Sequence, residues 1–246
     1  YLEFFAAFIV YGKKILAITL ARGGSKSIHK KNIALINNKP LISYTINAAK
    51  NSKYIDEYIV STDDKEIANC SIELGAKVPF MRPKNLAKDD STSSEAIIHA
   101  VLKFEERVGY EFDYVVELMC TNPFKDGKLI DKIIKDLHED GEADAVITVD
   151  RLLDHHPARV KKIENGYIKD FCITEKPESR RQDLFPYAYI RNGNVYAMRR
   201  KLIIEEGLRY NSKSCKAFYN PDLISINIDE KKDFILAEYF LNKENK

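Results

Sequence analysis

Cysteine pairs, a surplus of one charge and apolar runs of membrane length are all missing from this 246-residue sequence. Its four cysteines stand about fifty residues apart and form no C-x-x-C pair, which argues against a zinc site and a disulfide framework. Basic residues number 39 and acidic residues 37, so the formal net charge is only +2. We therefore expect a protein of the reducing cytoplasm that does not bind nucleic acid, and any cationic site must be local.

The apolar and aromatic stretch from Tyr1 to Tyr11 is too short to cross a membrane. About 20 residues are needed to span a bilayer, and the stretch lacks a convincing signal-peptide cleavage site. We expect residues 1–12 to be an extension, a cloning remnant or a segment that docks on a neighbour, with no membrane anchor. The remaining length suits a single α/β domain over residues 13–246 that carries an insertion.

The most informative segment is the junction between the apolar run from Ile15 to Leu20 and the pair Gly23-Gly24. Adjacent glycines permit positive φ and have no Cβ atoms, so successive backbone N–H groups can form an anion-binding concavity. The spacing matches neither a P-loop nor the G-x-G-x-x-G fingerprint. A solvated basic turn is the alternative, but four cations near the concavity favour a triphosphate site. These cations are Arg22, Lys26, Lys30 and Lys31.

Apolar runs of strand length alternate with segments of helical period, which is typical of parallel β-α-β units. The predicted strands are Lys14 to Leu20, Glu57 to Ser61, Val78 to Phe80, Asp113 to Met119, Ala143 to Val149, Asn194 to Met198 and Leu223 to Asn227. The predicted helices are Leu41 to Asn51, Lys65 to Leu74, Ser94 to Arg107, Gly127 to Glu139, Lys201 to Glu206 and Glu230 to Leu241. The pattern predicts a Rossmann-like, doubly wound and mostly parallel α/β sheet, whose ligands lie beyond the carboxyl ends of the strands.

The region of about residues 150–190 breaks this alternation. It contains a hairpin signal at Asn165-Gly166, and it begins with the pair His155-His156 followed by Pro157. Tandem histidines point their side chains apart, so a metal pair is not expected and the pair would instead anchor the region. We predict an insertion that serves as a lid over the site or as a dimerisation element.

Several motifs occur in the order found in one enzyme family. They are Arg22 to Lys26 with Lys31-Asn32, Ser61 to Asp64, Arg82-Pro83 with Leu86-Ala87 and Asp89, Thr121 with Pro123, Arg181 to Asp183, and Asn192-Gly193 with Tyr196. With these motifs the sequence resembles the CMP-sialic acid synthetase (CMP-N-acetylneuraminate cytidylyltransferase) family, including its legionaminic and pseudaminic acid relatives. The resemblance runs from about Lys14 to the C-terminus. It implies a nucleotide-diphospho-sugar transferase-like fold and a homodimer.

The resemblance also implies a reaction and residues that carry it. CTP and a nonulosonic acid, a nine-carbon keto-sugar acid, would give the CMP-sugar and pyrophosphate with the help of Mg²⁺. Charge develops on the leaving pyrophosphate, so such a site needs cations and preorganised N–H donors. The implied catalytic residues are Arg22, Lys26 and Lys31. The implied nucleotide-binding residues are Arg22, Gly23, Gly24, Ser25, Lys31, Asn32, Arg82, Ser93 and Ser94, although the serine pair could instead cap a helix.

The magnesium ligands of the family lie in an Asp-x-Asp pattern near the last strand, and the matching residues here are Asn227 and Asp229. Strand alternation would put both on one face, where they could share a metal. An amide oxygen brings no charge, so the metal would depend on Asp229 and on the phosphates. The alternative for Asp229 is a helix N-cap.

The acceptor end of the site departs from the family pattern, because Met119 replaces the glutamine that would contact the sugar. Cys120 is not expected to act as a nucleophile, since the reaction needs no covalent step. The implied sugar-binding residues are Arg181, Gln182, Tyr187, Tyr189 and Asn192, of which the two tyrosines could equally belong to a subunit interface.

Three classes of function are consistent with the sequence. The first is the cytidylyltransferase just described. The second is a nucleotidyltransferase of the same architecture that uses another base or a Kdo-like acid. The third is a non-catalytic nucleotide-binding relative, which Asn227 and Met119 favour.

Overall fold

The computed structural model describes residue 10 and residues 12–25, 27–211 and 213–244. Its strands are β1 (Ile15–Leu20), β2 (Leu35–Ile36), β3 (Lys39–Pro40), β4 (Glu57–Ser61), β5 (Tyr114–Leu118), β6 (Ala145–Leu152), β7 (Lys161–Glu164), β8 (Tyr167–Asp170), β9 (Ala188–Arg199) and β10 (Cys215–Tyr219). Its helices are α1 (Leu41–Lys50), α2 (Lys65–Glu73), α3 (Ser93–Val108), α4 (Gly127–Glu139), α5 (Arg200–Glu205) and α6 (Lys231–Glu244). The predicted helices are confirmed to within a few residues at their ends.

Six strands form the central sheet in the order β10-β6-β9-β5-β1-β4. Strand β1 pairs in parallel with both β4 and β5, and β10 pairs in parallel with β6. Only β9 runs antiparallel to its neighbours β5 and β6. The predicted doubly wound and mostly parallel sheet is therefore confirmed.

Strand β1 lies inside the sheet because nearly every one of its side chains is apolar, as a strand covered on both faces requires. Ile15 and Ala17 face a core built with α1, α2 and α4. Leu16 and Ile18 face the opposite core, which α3 and α5 complete. The carboxyl end of β1 is thus held from both sides, and the glycine loop that follows starts from a fixed point.

Two strand predictions are wrong. Val78 to Phe80 forms no strand; only isolated bridges occur beside it, from Lys77 to Ile59 and from Met81 to Thr62. Pro79 has no N–H to donate, which prevents a continuous ladder through this segment. The segment from Leu223 to Asn227 is also not a strand, and the edge of the sheet is instead formed by β10, which was not predicted.

A third core explains the apolar alternation before α6. Ile228 is fully buried there with Phe124 and with Ala237 of α6, and Ile224 and Ile226 pack against the same cluster. The alternating isoleucines therefore face a helix rather than a neighbouring strand. Their packing fixes the segment beside the end of β5, where the N–H of Ile228 donates to the carbonyl of Thr121 at 2.8 Å.

The insertion is an extension of two central strands that carries a separate hairpin. Strands β6 and β9 continue together as far as Leu152 and Ala188. Between them β7 and β8 form the predicted hairpin, which turns at Asn165 (φ 52°) and Gly166 (φ 82°). His156 is buried and anchors the insertion, since its Nε2 lies 2.8 Å from the carbonyl oxygen of Pro186.

Within the described ranges, no helix combines the length and the apolar character needed to cross a bilayer. The expectation for residues 1–12 lies mostly outside the described residues, since only Val10 and Gly12 of this stretch are described.

Candidate nucleotide site

A cavity of about 490 Å³ opens beyond the carboxyl ends of β1 and β5. Its volume lies in the range of about 300–1,000 Å³ that small-molecule sites occupy. The predicted site residues that line it are Arg22, Ser25, Lys31, Asn32, Arg82, Ser93 and Asp229. The structure therefore brings together residues from the first loop, the middle of the chain and the last loop at the edge where the sequence placed the ligand.

The glycine loop is shaped by two carboxylates that follow β4. The N–H of Gly23 donates to Asp63 Oδ1 at 3.0 Å, and a Cβ added to Gly23 would lie 2.8 Å from Asp64 Oδ2. Neither Gly23 nor Gly24 has a positive φ, so the prediction of positive φ is wrong, whereas the missing Cβ matters at Gly23. Glycine is needed at position 23 because the backbone closely approaches Asp64, and the N–H of Gly23 is already used within the protein.

Two of the four cations of the loop, Arg22 and Lys31, line the cavity, each beside an acid, whereas Lys30 pairs with Glu66 and does not line it. Arg22 forms an ion pair with Asp89 at 3.1 Å and also donates to the carbonyl of Lys88 at 3.1 Å. Lys31 Nζ donates to the carbonyl of Ile228 at 2.6 Å and to Asp229 Oδ1 at 3.0 Å. Arg22 and Lys31 therefore both line the cavity. The third predicted catalytic residue, Lys26, lies outside the described residues.

Asn32 and Arg82 line the cavity, but most of their hydrogen bonds are made to neighbouring loops and strand ends. Asn32 Nδ2 donates to the carbonyl of Arg22 at 2.9 Å, and its Oδ1 accepts from the Cys120 thiol at 2.9 Å. Arg82 Nε donates to Ser61 Oγ at 3.1 Å, and a terminal nitrogen of the guanidinium donates to the carbonyl of Ser61. Burial lowers the pKa of Arg82 below its usual value. Both side chains fix the walls of the cavity as well as facing it.

Of the predicted serine pair, only Ser93 lines the cavity, and Ser94 does not. The alternative reading of these serines as a helix cap is wrong. Thr92 caps α3, because its hydroxyl accepts from the N–H of Glu95 while Glu95 accepts from the N–H of Thr92 in a capping box. The hydroxyl of Ser93 is therefore not needed as the cap of the helix.

Asp229 lines the cavity, and Asn227, which does not line it, lies beside Asp229. Asn227 Nδ2 donates to Asp229 Oδ2 at 2.6 Å, and Thr121 donates to Asn227 Oδ1 at 2.6 Å. The N–H groups of Asp229 and Glu230 donate to Asp233 at 3.0 and 2.8 Å, so Asp233 caps the start of α6 and the N-cap reading of Asp229 is wrong.

The donor set fits a magnesium ion that is shared with a ligand. Rotating the Asn227 amide by 180° places its oxygen beside Asp229 Oδ2, and the Thr121 hydroxyl can then accept instead of donate. One carboxylate with further oxygens from substrate phosphates is a common way of binding Mg²⁺. Among the described residues there is no group of three or more His, Cys, Asp or Glu side chains arranged for a metal, so any ion here depends on the ligand.

Four of the five predicted sugar-binding residues lie on the exposed insertion, and none of the five lines the cavity. Arg181 pairs with Asp154 at 3.5 Å, while Tyr187 stacks beneath the guanidinium of Arg151 at 3.7 Å. Gln182 and Tyr189 are exposed on the same insertion. The fifth, Asn192, is buried and donates to Asp150 Oδ1 at 2.9 Å.

A strand irregularity brings the acceptor end of the site towards Asn227. Four residues of β9, 192–195, stand opposite the single residue Thr148 of β6, and the two strands form a β-bulge there. Within the bulge Gly193 adopts φ 63°, and a Cβ added there would lie 3.3 Å from Asn227 Oδ1 and 3.6 Å from Met119 Sδ. Met119 therefore lies next to the predicted metal position, where the sequence placed the altered sugar contact.

Lys125 is a residue that the sequence did not single out. Its ammonium donates to the carbonyl oxygens of Met119, at 2.8 Å, and of Asn122. Burial lowers the pKa of Lys125 to about 7 and raises that of the neighbouring Cys120 thiol to about 11. Lys125 thereby closes the turn after β5, and the neutral thiol of Cys120 agrees with its expected lack of a nucleophilic role. No local pattern marks Lys125, because its partners are set by the shape of the turn.

A cavity lined by cations beyond the carboxyl ends of parallel strands is the site of a nucleotide-binding α/β protein. The family model described as "Cytidylyltransferase" matches residues 16–240. The chain belongs to the cytidylyltransferase family and is a nucleotidyltransferase of the CMP-nonulosonic acid synthetase type, as the motifs predicted.

Named relatives cover nearly the whole chain. A CMP-N,N'-diacetyllegionaminic acid synthase of Legionella pneumophila is 34% identical, covering 94% of this chain and 98% of the relative. A pseudaminic acid cytidylyltransferase of Campylobacter jejuni is also 34% identical, covering 94% of this chain and 99% of the relative. Among solved structures, a CMP:2-keto-3-deoxy-manno-octonic acid synthetase complexed with CTP has the same fold, with a TM-score of 0.71 at 16% identity, covering 94% of this chain and 99% of the other.

The two glycines of the loop provide a matched test of its geometry. We expect Gly23→Ala to lower kcat/KM for the nucleotide by on the order of tenfold or more, because the new Cβ must displace Asp64 and with it the loop. Gly24→Ala is the control, since a Cβ at that position meets nothing within 4 Å. Steady-state rates of pyrophosphate release would measure both effects. Equal effects of the two substitutions would contradict the role assigned to Gly23.

Proposed function

We propose that the protein transfers the cytidylyl group of CTP to a nonulosonic acid, giving the CMP-sugar and pyrophosphate with Mg²⁺ as cofactor. The observation that carries the proposal is the convergence of Arg22, Lys31 and Asp229 on one cavity, at the positions that the family motifs predict. The relatives named after legionaminic and pseudaminic acid support the choice of acceptor. The free thiols of all four cysteines support a reducing compartment, for which we propose the cytoplasm.

The reaction requires positive charge and correct orientation of the two substrates, and it needs no covalent intermediate with the protein. The anomeric hydroxyl of the acid attacks the α-phosphorus of CTP and gives its proton to water, the bond from the α-phosphorus to the bridging oxygen breaks, and pyrophosphate leaves with the electron pair of that bond. Arg22 and Lys31 lie where they can exchange their carboxylate partners for phosphate oxygens. Preorganised cations of this kind stabilise the charge that develops on the leaving group.

Asp229, with the amide oxygen of Asn227, would hold the magnesium ion at the mouth of the cavity. When bound, the ion neutralises phosphate charge and orients the reacting oxygens. Asp229 is available for this because its carboxylate is exposed and contacts only Lys31 and the Asn227 amide among the described side chains. A triphosphate arriving with its metal would take over the Lys31 contact and leave Asp229 to the ion.

Pyrophosphate release from the purified protein tests the reaction. We expect release with Mg²⁺, CTP and at least one of N-acetylneuraminic, legionaminic or pseudaminic acid, and little release with the other nucleoside triphosphates. Arg22→Ala should lower kcat by on the order of 10²-fold, because it removes a charged donor to the phosphates. Its melting temperature should change little, since the Arg22 ion pair is exposed to solvent.

Arg180→Ala is the matched control, because Arg180 forms a comparable exposed ion pair with Asp183 at 2.8 Å on the insertion. No pyrophosphate with any pair of substrates would refute an enzymatic role and favour a non-catalytic relative. Release with GTP alone, or only with a Kdo-like acid, would replace the proposed donor or acceptor. Equal losses in the two arginine variants would show that Arg22 has no specific part.

The metal assignment can be tested by restoring the missing charge. We expect Asn227→Asp to lower the Mg²⁺ concentration for half-maximal activity by roughly tenfold, because a second carboxylate attracts the ion more strongly than an amide. Asn242→Asp adds the same charge on the exposed surface of α6 and serves as the control. A Mg²⁺ titration of both variants measures the effect. An unchanged titration curve for Asn227→Asp would exclude position 227 as a ligand.

The insertion supports the proposal of a homodimer. Ile163 and Ile168 pair across the β7-β8 hairpin with 78% and 74% of their surfaces exposed. Tyr167, Phe171 and Phe185 on the same insertion are also largely exposed. An apolar patch of this kind marks an interface, and a lone two-stranded hairpin is only marginally stable in water. A second copy seated on the hairpin would also place insertion residues such as Arg181 over a neighbouring site.

We expect the protein to sediment as a dimer and the double variant Ile163→Glu, Ile168→Glu to sediment as a monomer, because buried like charges would repel across the interface. Ile72→Glu on α2 is the control, since Ile72 is an exposed isoleucine far along the chain from the insertion. Sedimentation velocity measures the states directly. A double variant that stays dimeric would place the interface elsewhere.

A further inference from the structure

Glu117 is a buried carboxylate in the wall of the nucleotide cavity that the proposed reaction does not use. It lies in β5, lines the cavity and is only 2% exposed. The other two acids of the lining, Asp89 and Asp229, are exposed and face Arg22 and Lys31 at the phosphate end. Glu117 is thus the one buried acid among the described lining residues.

The position of Glu117 is fixed by one cation. Arg209 donates to Glu117 Oε2 at 2.6 Å, and its guanidinium lies over the ring of Tyr196 at 4.9 Å. Although burial acts to lower it, the pKa of Arg209 is held above its usual value by the Glu117 carboxylate. Glu117 and Arg209 therefore form an ion pair that ties Oε2 of Glu117 to Arg209.

The second oxygen of Glu117 has no hydrogen-bond donor among the described residues. A purely structural buried glutamate in the same protein behaves differently. Glu105 accepts from Arg200 at 2.8 and 2.9 Å through both of its oxygens, and from the N–H of Phe112 at 3.0 Å. A carboxylate offers about four acceptor positions. Glu117 therefore uses one oxygen for Arg209 and, as a residue that lines the cavity, keeps Oε1 available to a ligand.

The chemistry of the missing partner follows from the charge of Glu117. A carboxylate only accepts hydrogen bonds and repels phosphate, so its partner is an uncharged donor on the nucleoside part of the ligand. Cytidine offers two such donors, the exocyclic amine of the base and the ribose hydroxyls. Carboxylates accept from the cytosine amine in nucleic-acid recognition and from ribose hydroxyls in dinucleotide sites.

We propose that Glu117 accepts a hydrogen bond from the cytidine part of CTP and thereby determines nucleotide specificity, with Arg209 as its positioning residue. The proposal rests on the proposed use of CTP. It makes the buried pair part of the donor site instead of a structural ion pair. It also assigns a function to a residue within β5 that is not part of any of the family motifs.

The substitution Glu117→Gln tests this with little change in shape. Because Arg209 donates to the side-chain oxygen, it holds the Gln oxygen on its own side and turns the amide N–H₂ towards the cavity. The variant then presents a donor where the wild type presents an acceptor. A cytosine amine meets another donor and is disfavoured, whereas the O4 of uracil, an acceptor, is favoured.

Ratios of kcat/KM for CTP, UTP and 2'-deoxy-CTP distinguish the two sources of the donor. If the exocyclic amine is the partner, the preference for CTP over UTP falls by about tenfold or more in Glu117→Gln, as loss of a hydrogen bond to a charged group predicts. If the ribose hydroxyl is the partner, the preference for CTP over 2'-deoxy-CTP falls by a similar factor. Unchanged ratios in both comparisons overturn the proposal.

Two further variants separate specificity from folding. Glu105→Gln breaks a comparable buried pair away from the cavity and should leave both ratios at their wild-type values. The double variant Glu117→Leu, Arg209→Met removes both charges together and leaves no unpaired charge buried. It should fold, by circular dichroism, and lose the same preference; if it keeps wild-type ratios, the pair is only structural. A wild type that releases no pyrophosphate from CTP would instead refute the proposed function itself.

Discussion

The ammonium of Lys31 connects the beginning and the end of the chain at the site. It donates to the carbonyl of Ile228 and to the carboxylate of Asp229, almost two hundred residues later in the sequence. Asp229 can face the cavity only because Ile228, its neighbour, is buried against α6 on the other side of the segment. This contact brings the first loop and the last loop of the chain together at the cavity.

The same contact shows how a chain of nearly balanced charge maintains a cationic cavity. Arg22 is paired with Asp89 and Lys31 with Asp229, so each cation stands beside an acid. The exposed Arg22–Asp89 pair contributes little stability and exchanges readily for a stronger anion, and in the Lys31–Asp229 pair the exposed partner is the acid, Asp229. A triphosphate with its metal can therefore displace the acids at small cost, and Asp229 then becomes a ligand instead of a counter-ion.

The sequence predicted the parts of the fold that follow from local patterns and failed where packing decides. Strand β1 and helix α3 have the periodicity of their final environments, so both were predicted closely. The alternating apolar residues from Leu223 to Ile228 have the period of a strand, but they face α6. Strand β10 was missed because its exposed edge position allows polar and apolar residues to mix, as in Lys216 and Phe218.

The donor end of the site was predictable because its residues are neighbours in sequence, from Arg22 to Asn32. Even there, the residue that Gly23 approaches was not predictable, since Asp64 belongs to a second loop. Glu117 could not be found from its surroundings in β5, where a single acid in an apolar strand predicts only a buried ion pair. What distinguishes Glu117 from Glu105 is an oxygen that no protein group in the described chain satisfies, and only the packed structure reveals such a difference. A residue of this kind suits a role in specificity, because only a ligand with a hydrogen-bond donor in the right place can satisfy its free acceptor.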